Sequence, residues 1–453
     1  MKQQAFAVRK LLSCVIPAVL AFAVSGPVSA TGFFINQQSV KGLGRVDAGN
    51  TAAADDLGTI FFNPAGLNEV FAREPGKGFM WSIGTNLVIP RSEQTNVGSA
   101  AASPGTLGAF VPYAGGDARN PVAATPIPNL YFAKKISDQA AVGLAFNAPF
   151  GLKTESNPAW FGRYDAIEAS LRTYNLSAVG AYKFETGLSI GGGIDVQYAR
   201  TTLTSAIPDP LNPGGPTAAT DARVSTVGHD WTPGFNIGLL YPVDVKTRIG
   251  AHYRSGMKHN ISGSSAFTGF TGPLAGFNGV VGAGAVLHLP AIATVGVRHQ
   301  LTERLALLGE LEWFNWSKFR EIRVMFQDGR ADGVRQTNYR DTYAVAVGAE
   351  YRVPGSALTT RGGLQFDRTP TVDAFRDTTV PDANRLWLGF GGSYRWSDRT
   401  TVDFAFNHVF FRDTNVALTR SFFEGTPLAT TTRINGAVTN VVNTVGIDLR
   451  FAY

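Results

Sequence analysis

The sequence predicts a transmembrane antiparallel β-barrel of about 14 strands, preceded by an N-terminal segment without lipid-facing strands. Three observations predict it. First, the chain ends in an alternating segment. Val441, Val445, Ile447, Leu449, Phe451 and Tyr453, with Asn443 among them, share one face. Val442, Thr444, Gly446, Asp448, Arg450 and Ala452 share the other. Successive strand side chains point to opposite faces, so this segment has a greasy side and a wet side. Second, charged residues make up only 16% and glycines number 51, against roughly 25% charge in soluble domains. Past residue 30 no apolar run approaches the roughly 20 residues of a spanning helix. Apolar residues so distributed belong on alternating strands, which cross a membrane only as a closed barrel. Third, short and long connections alternate along the chain, as periplasmic turns and extracellular loops do in such barrels.

The elements follow in order. Lys2, Arg9 and Lys10 precede an apolar stretch from Leu11 to Val24, and Val28-Ser29-Ala30 is a small-residue cleavage site. Residues 1–30 therefore read as a secretory signal peptide. Its removal takes the only cysteine, Cys14, and leaves 37 basic against 34 acidic residues. Disulfides, thiolate metal sites and cysteine catalysis are then excluded. With no basic run, nucleic acid is a poor partner.

Residues 31–78 carry no lipid-facing strand, and Asp55-Asp56 and Asn63-Pro64 break the chain. This segment can dangle below a barrel or fold back as a hatch. The barrel occupies 79–453. Its strands are expected at 80–90, 129–136, 140–151, 171–184, 188–205, 232–243, 247–263, 285–300, 305–326, 342–353, 359–371, 385–396, 400–413 and 439–453. Short turns fall at 137–139, 185–187, 244–246, 301–304, 354–358 and 397–399, and long loops at 91–128, 152–170, 206–231, 264–284, 327–341, 372–384 and 414–438. Trp81, Trp313, Trp316, Trp387 and Trp396 are assigned to interfacial girdles.

The N-terminal segment carries a resemblance. Gly32-Phe33-Phe34-Ile35-Asn36-Gln37-Gln38-Ser39, Gly42-Leu43-Gly44-Arg45, Ala54-Asp55-Asp56 and Phe61-Phe62-Asn63-Pro64-Ala65-Gly66 are similar to the hatch of FadL-type outer-membrane transporters. The likeness continues through Gly162-Arg163-Tyr164, Trp316-Ser317-Lys318-Phe319, Asp367-Arg368-Thr369-Pro370 and Val380-Pro381-Asp382-Ala383-Asn384. It implies a monomeric 14-stranded barrel in the bacterial outer membrane, closed by an N-terminal hatch inside its lumen, that takes up long-chain fatty acids, or in relatives aromatic hydrocarbons, by diffusion and without a cofactor. It implies outer-loop capture, transfer to a pocket beside the hatch, and sideways release through a kinked third strand. The partners are then a hydrophobic small molecule and the surrounding outer-membrane lipid and lipopolysaccharide.

Candidate residues follow. Asn63, Pro64 and Ala65 match the hatch motif, although an Asn-Pro turn can be purely local. Ala148, Pro149, Phe150 and Gly151 interrupt the third strand, since proline lacks a ladder donor and glycine permits a bend. They mark either a lateral opening or an ordinary strand end. A buried carboxylate needs a basic partner, and the resemblance points to Arg323 and Arg200. The family's second base falls on Ser205, and simple alternation from Leu311 and Trp313 turns Arg323 outward, so neutral aromatic substrates stay open. Phe267, Phe270, Leu274 and Phe277 make the loop at 264–284 unusually apolar. It is either a capture groove or a cover packed over the barrel mouth. The six histidines lack metal-ligand spacing, there is no Gly-x-Ser-x-Gly, and no enzyme is expected. A general porin and an outer-membrane hydrolase remain the alternatives.

Overall fold

The computed structural model describes residues 32–453, so the expected signal peptide lies outside the described residues. Fourteen strands form the wall. They are β1 (Phe79–Asn96), β2 (Thr125–Lys135), β3 (Ala140–Asn147, resuming as Gly151–Glu155), β4 (Glu168–Lys183), β5 (Ser189–Ile207), β6 (Ala222–Pro242) and β7 (Thr247–Arg254 with Met257–Thr268). Then come β8 (Gly279–Leu289 with Ile292–Gln300), β9 (Leu305–Phe314 with Glu321–Phe326), β10 (Thr342–Arg352), β11 (Leu358–Asp367), β12 (Arg385–Arg395), β13 (Thr400–Phe411 with Thr414–Phe422) and β14 (Thr430–Ala452). Each pairs antiparallel with its sequence neighbours. The last closes on the first along Met80↔Ala452 to Asn96↔Gly436. Closure leaves no free edge, which is the condition for strands to cross a bilayer.

The alternation in the sequence is the alternation of the wall. Val445, Ile447 and Tyr453 face outward, while Thr444 and Gly446 are buried. On β10, Tyr343, Val345, Val347 and Tyr351 are exposed and Thr342, Ala344 and Ala346 are buried. On β13, Phe404 and Phe410 face out against buried Thr401, Asp403, Ala405 and Asn407.

Two expectations need correction. Several long loops are shorter than expected, because β6, β7, β8, β13 and β14 continue as paired hairpins beyond the lipid band. The connection expected at 264–284 shrinks to residues 269–278, which hold a 3₁₀ turn, Gly272–Phe277. Above the membrane neither face meets lipid, so alternation fades while backbone pairing persists. Trp316 and Trp387 are also not girdle residues, being 0% and 1% exposed and packed inside. Trp81, Trp313 and Trp396 do look outward; Trp81 stacks on Phe451 at 4.4 Å.

The lumen is filled by the segment from Gly32 to Gly78. It forms α1 (Val40–Leu43), α2 (Asn50–Ala53), α3 (Thr59–Phe62), a 3₁₀ turn (Pro64–Gly66) and α4 (Leu67–Ala72). Helices of four to six residues are too short to persist alone, so packing holds them. Phe34, Leu57, Ile60, Phe61, Leu67 and Phe71 are buried against Met80, Tyr131, Ala141, Ala145 and Val179 of the wall. Arg45, 2% exposed, joins Asp55 of the hatch (3.1 Å) to Glu350 of β10 (2.8 Å). Glu69 of α4 meets Lys183 (2.5 Å) and Arg248 (3.0 Å) of the wall.

Candidate functional site

The Asn63-Pro64-Ala65 turn lies flat on the wall. Asn63 is fully buried and caps the 3₁₀ turn, its Oδ1 accepting from Ala65 N (3.1 Å). Its Nδ2 donates to Thr51 O (2.7 Å) in the hatch and Leu239 O (2.9 Å) on β6. Three strand glycines make this approach possible. A methyl group at Gly191 would overlap the backbone of Pro64 and Ala65, one at Gly238 would overlap Asn63 Oδ1, and one at Gly250 would overlap Thr51 O. The motif thus ties hatch to wall, and a glycine inside a strand, such as Gly191, is the sequence signal for that close approach.

The third strand breaks at Ala148–Phe150. Its first half pairs with both β2 and β4 (Leu130↔Phe146 to Lys135↔Ala141, and Ala140↔Tyr182 to Asn147↔Asn175). Its second half, Gly151–Glu155, pairs with β4 alone. The ladder therefore parts between residues 125–129 of β2 and 151–155 of β3. The freed backbone groups turn inward to the hatch. Ile35 N donates to Pro149 O (2.8 Å), Gly151 N to Phe33 O (3.0 Å), and Gln38 Nε2 to Ala148 O (3.0 Å). Thr173 Oγ1 accepts from Phe150 N (2.9 Å) and donates to Phe150 O (2.7 Å). A buried break in a sheet must have its polar groups met in this way.

Beside the break lies a cavity of about 110 Å³. Phe33 of the hatch, Leu152 of β3, Leu171 of β4, Thr201–Leu203 of β5, Val227 of β6, Ile261 of β7, Ala283–Leu287 of β8 and Ile322 and Val324 of β9 line it. Phe319, Tyr339, Thr379 and Val380 complete the wall, and among the described residues Asp377 is the one lining residue with a formal charge. Asp377 accepts from Thr379 N (3.0 Å), Thr379 Oγ1 (2.7 Å) and Val380 N (2.8 Å), and burial pushes its carboxyl up. Arg420 and Arg335 are held by the neighbouring Asp165 at 2.7 and 3.8 Å.

Phe33 stands between cavity and break, edge-on to Trp316 (4.6 Å), Phe319 (5.4 Å) and Phe150 (6.3 Å). A second, smaller cavity shares Leu152 and Thr379 with the first. Its other walls include Ser92 and Gln94 of β1, Val122 before β2, Thr154 of β3, and Asn440 and Val442 of β14. The two cavities meet at the residues beside the parted ladder.

The sequence-selected arginines are not at this cavity. Ile322 and Val324 face in, so Arg323 between them faces out and binds Glu321 (2.7 Å) and Asp332 (3.0 Å). Arg200 is exposed on the outer face of β5. Phe267, Phe270 and Leu274 are buried together with Ala222, while Phe277 is 46% exposed. The apolar segment therefore packs against the neighbouring hairpins, through Ala222, Phe326 and Phe423, with Arg330 over the Phe267 ring at 4.0 Å. Phe33 was singled out only as part of a segment similar to a hatch, and Leu152 and the small residues Ala283–Ala285 had no distinguishing signal in the sequence. They meet only through closure of the wall and folding-in of the hatch.

The chain is similar to known outer-membrane proteins along its length. It is 28% identical to a long-chain fatty acid transport protein of Salmonella typhi, over 86% of this chain and 90% of the relative. It is 26% identical to outer membrane protein P1 of Haemophilus influenzae, over 96% and 98%. Among solved structures it superposes on a Pseudomonas aeruginosa FadL homologue with TM-score 0.79 and 21% identity, over 93% of this chain and 99% of that one. On the Ralstonia pickettii toluene transporter TbuX the values are 0.62 and 19%, over 90% and 98%. Residues 21–453 match the family model described as outer membrane protein transport protein (OMPP1/FadL/TodX). With its closed barrel, internal hatch and apolar cavity, the chain belongs to this FadL-type family of outer-membrane transporters of hydrophobic compounds.

Proposed function

We propose that this protein is a passive channel in which a hydrophobic molecule occupies the apolar cavity, passes Phe33 and Leu152, and leaves sideways between β2 and the second half of β3. The observation that carries the reading is the sharing of Leu152 and Thr379 by the main cavity and the cavity at the parted ladder. Lateral exit keeps apolar surface out of water, which favours transfer by roughly 25 cal/mol per Å². Hatch residues 32–78 close the route below and the barrel, 79–453, forms its walls.

The cavity fits an uncharged molecule best. A carboxylate inside would meet Asp377 and, among the described residues, no lining cation, an unfavourable burial of charge. Uptake of neutral hydrocarbons, aromatic ones included, is therefore the first reading. Long-chain fatty acid uptake is the second, favoured by the name of the Salmonella relative.

Binding of toluene and of oleate to the detergent-solubilised protein separates them. The first reading expects saturable toluene binding unchanged by Arg323→Ala. Leu152→Trp should slow uptake in whole cells by narrowing the passage shared by the two cavities. Oleate binding without toluene binding would establish the second reading, and binding of neither would refute both.

A further inference from the structure

The outer surface beside the parted ladder carries an ordered arrangement of aromatic and cationic side chains. Tyr174 of β4, Tyr198 of β5 and Trp231 of β6 are in register (Tyr174↔Tyr198↔Trp231), with the Tyr198 and Trp231 rings 5.0 Å apart. Below them the outward positions are apolar, among them Leu176, Ile194, Val196 and Phe235. A second aromatic level follows at Tyr182, Phe184 and Tyr241. Eight residues separate Tyr174 from Tyr182, about 21 Å along the membrane normal for a strand tilted about 40°, close to the roughly 25 Å apolar band of such barrels. Tyr174, Tyr198 and Trp231 therefore mark the outer-leaflet interface.

Two residues further outward on the same face stand Arg172, Arg200 and His229, again in register (Arg172↔Arg200↔His229). Arg172 also pairs with Gly151, so the row begins at the rim of the opening. Side chains in one row on adjacent strands are about 5 Å apart, where like charges repel. Neither guanidinium has an ion pair or a side-chain hydrogen bond among the described residues, and Arg172 Nε is buried without a partner. Two unneutralised arginines at headgroup level call for an anion supplied by the membrane, and their planar forks match phosphate.

We infer that Arg172 and Arg200, extended by His229, bind the phosphate of an outer-leaflet glycolipid such as the lipid A part of lipopolysaccharide, with Tyr174, Tyr198 and Trp231 seating its acyl chains. The site lies outside the barrel, and its occupant is a membrane component, not the transported molecule. It does not depend on which substrate the cavity takes.

Native mass spectrometry of the detergent-solubilised protein with bisphosphorylated lipid A tests this. Arg172→Ala/Arg200→Ala should lower retention of the lipid about tenfold or more. Dephosphorylated lipid A should bind the unaltered protein equally weakly. Lys134→Ala/Arg304→Ala, which removes the same charge from the opposite rim, should change nothing. Arg172→Gln/Arg200→Gln keeps most of the stem packing and should reproduce the loss if the alanine variant fails to fold. Full retention by the folded arginine variants overturns the inference. So does equal binding of the dephosphorylated lipid, or an equal loss in the rim control.

Discussion

At the scale of single residues, Asn63 shows how much one side chain can hold. Its Nδ2 serves two carbonyls, one in the hatch and one in the wall, and its Oδ1 caps a helical turn. Asn63→Ala leaves buried carbonyls unmet, at roughly 1–3 kcal/mol each. Asn63→Asp keeps the cap but turns an acceptor toward two acceptors. Both should lower the melting temperature, the aspartate more above pH 5, and both should expose residues 32–78 to protease before the barrel unfolds. If melting and protease resistance were unchanged, the bridging role would be wrong. The motif was legible in the sequence as an Asn-Pro turn similar to a family hatch. That its amide reaches Leu239 O was not, because no local pattern states which strand lies 176 residues away in sequence. Arg323 shows the opposite case. Plain alternation already turned it outward, and the ion pairs with Glu321 and Asp332 agree with that parity over the positional resemblance.

At the scale of elements, the wall accommodates the hatch by omitting side chains. Gly238 touches Asn63 directly, whereas a methyl group at Gly180 would meet nothing within 4 Å. Gly238→Ala should therefore loosen the hatch and cost about 1–3 kcal/mol as an overpacking change, while Gly180→Ala should be near neutral. Thermal melting of the two variants side by side checks the contrast. The hatch itself is strained: Val46, Asp47 and Ala54 have positive φ of 45°, 65° and 45° without being glycine. Such residues persist only where the surroundings over-determine them. Strand positions were readable because lipid on one side and lumen on the other enforce a period of two. The hairpins beyond the membrane were not, because water on both faces removes that constraint while the ladder continues. The break at Ala148–Gly151 was visible from proline and glycine chemistry. Its capture by Phe33, Ile35 and Gln38 depends on a segment more than a hundred residues earlier.

At the scale of the whole molecule, hatch and barrel form one buried electrostatic system, so stability should depend on pH. Burial raises the carboxyl of Asp47 from its ordinary 3.8 to about 7, against the hydrogen bond from Asn50 and the charge of Arg45. An acid with a raised folded pKa favours the fold while protonated. Its contribution is complete below pH 3.8 and is lost as pH rises to about 7. Asp47→Asn should therefore melt higher than the unaltered protein at pH 8, and the difference should shrink toward pH 4. Melting curves of both proteins across that range check the sign; a difference independent of pH would mean Asp47 does not titrate in the folded hatch. The sequence by itself determined a barrel of alternating strands, the lipid-facing side of the last strand, the break in the third strand and a non-strand N-terminal segment. Each of these is a local consequence of side-chain period or backbone chemistry. Only the tertiary structure decided that Phe33 separates the cavity from the break, that no cation lines the cavity, and that Trp316 and Trp387 are core. These depend on where a closed wall and an inserted hatch bring distant residues together, and contacts between distant segments leave no period in the sequence.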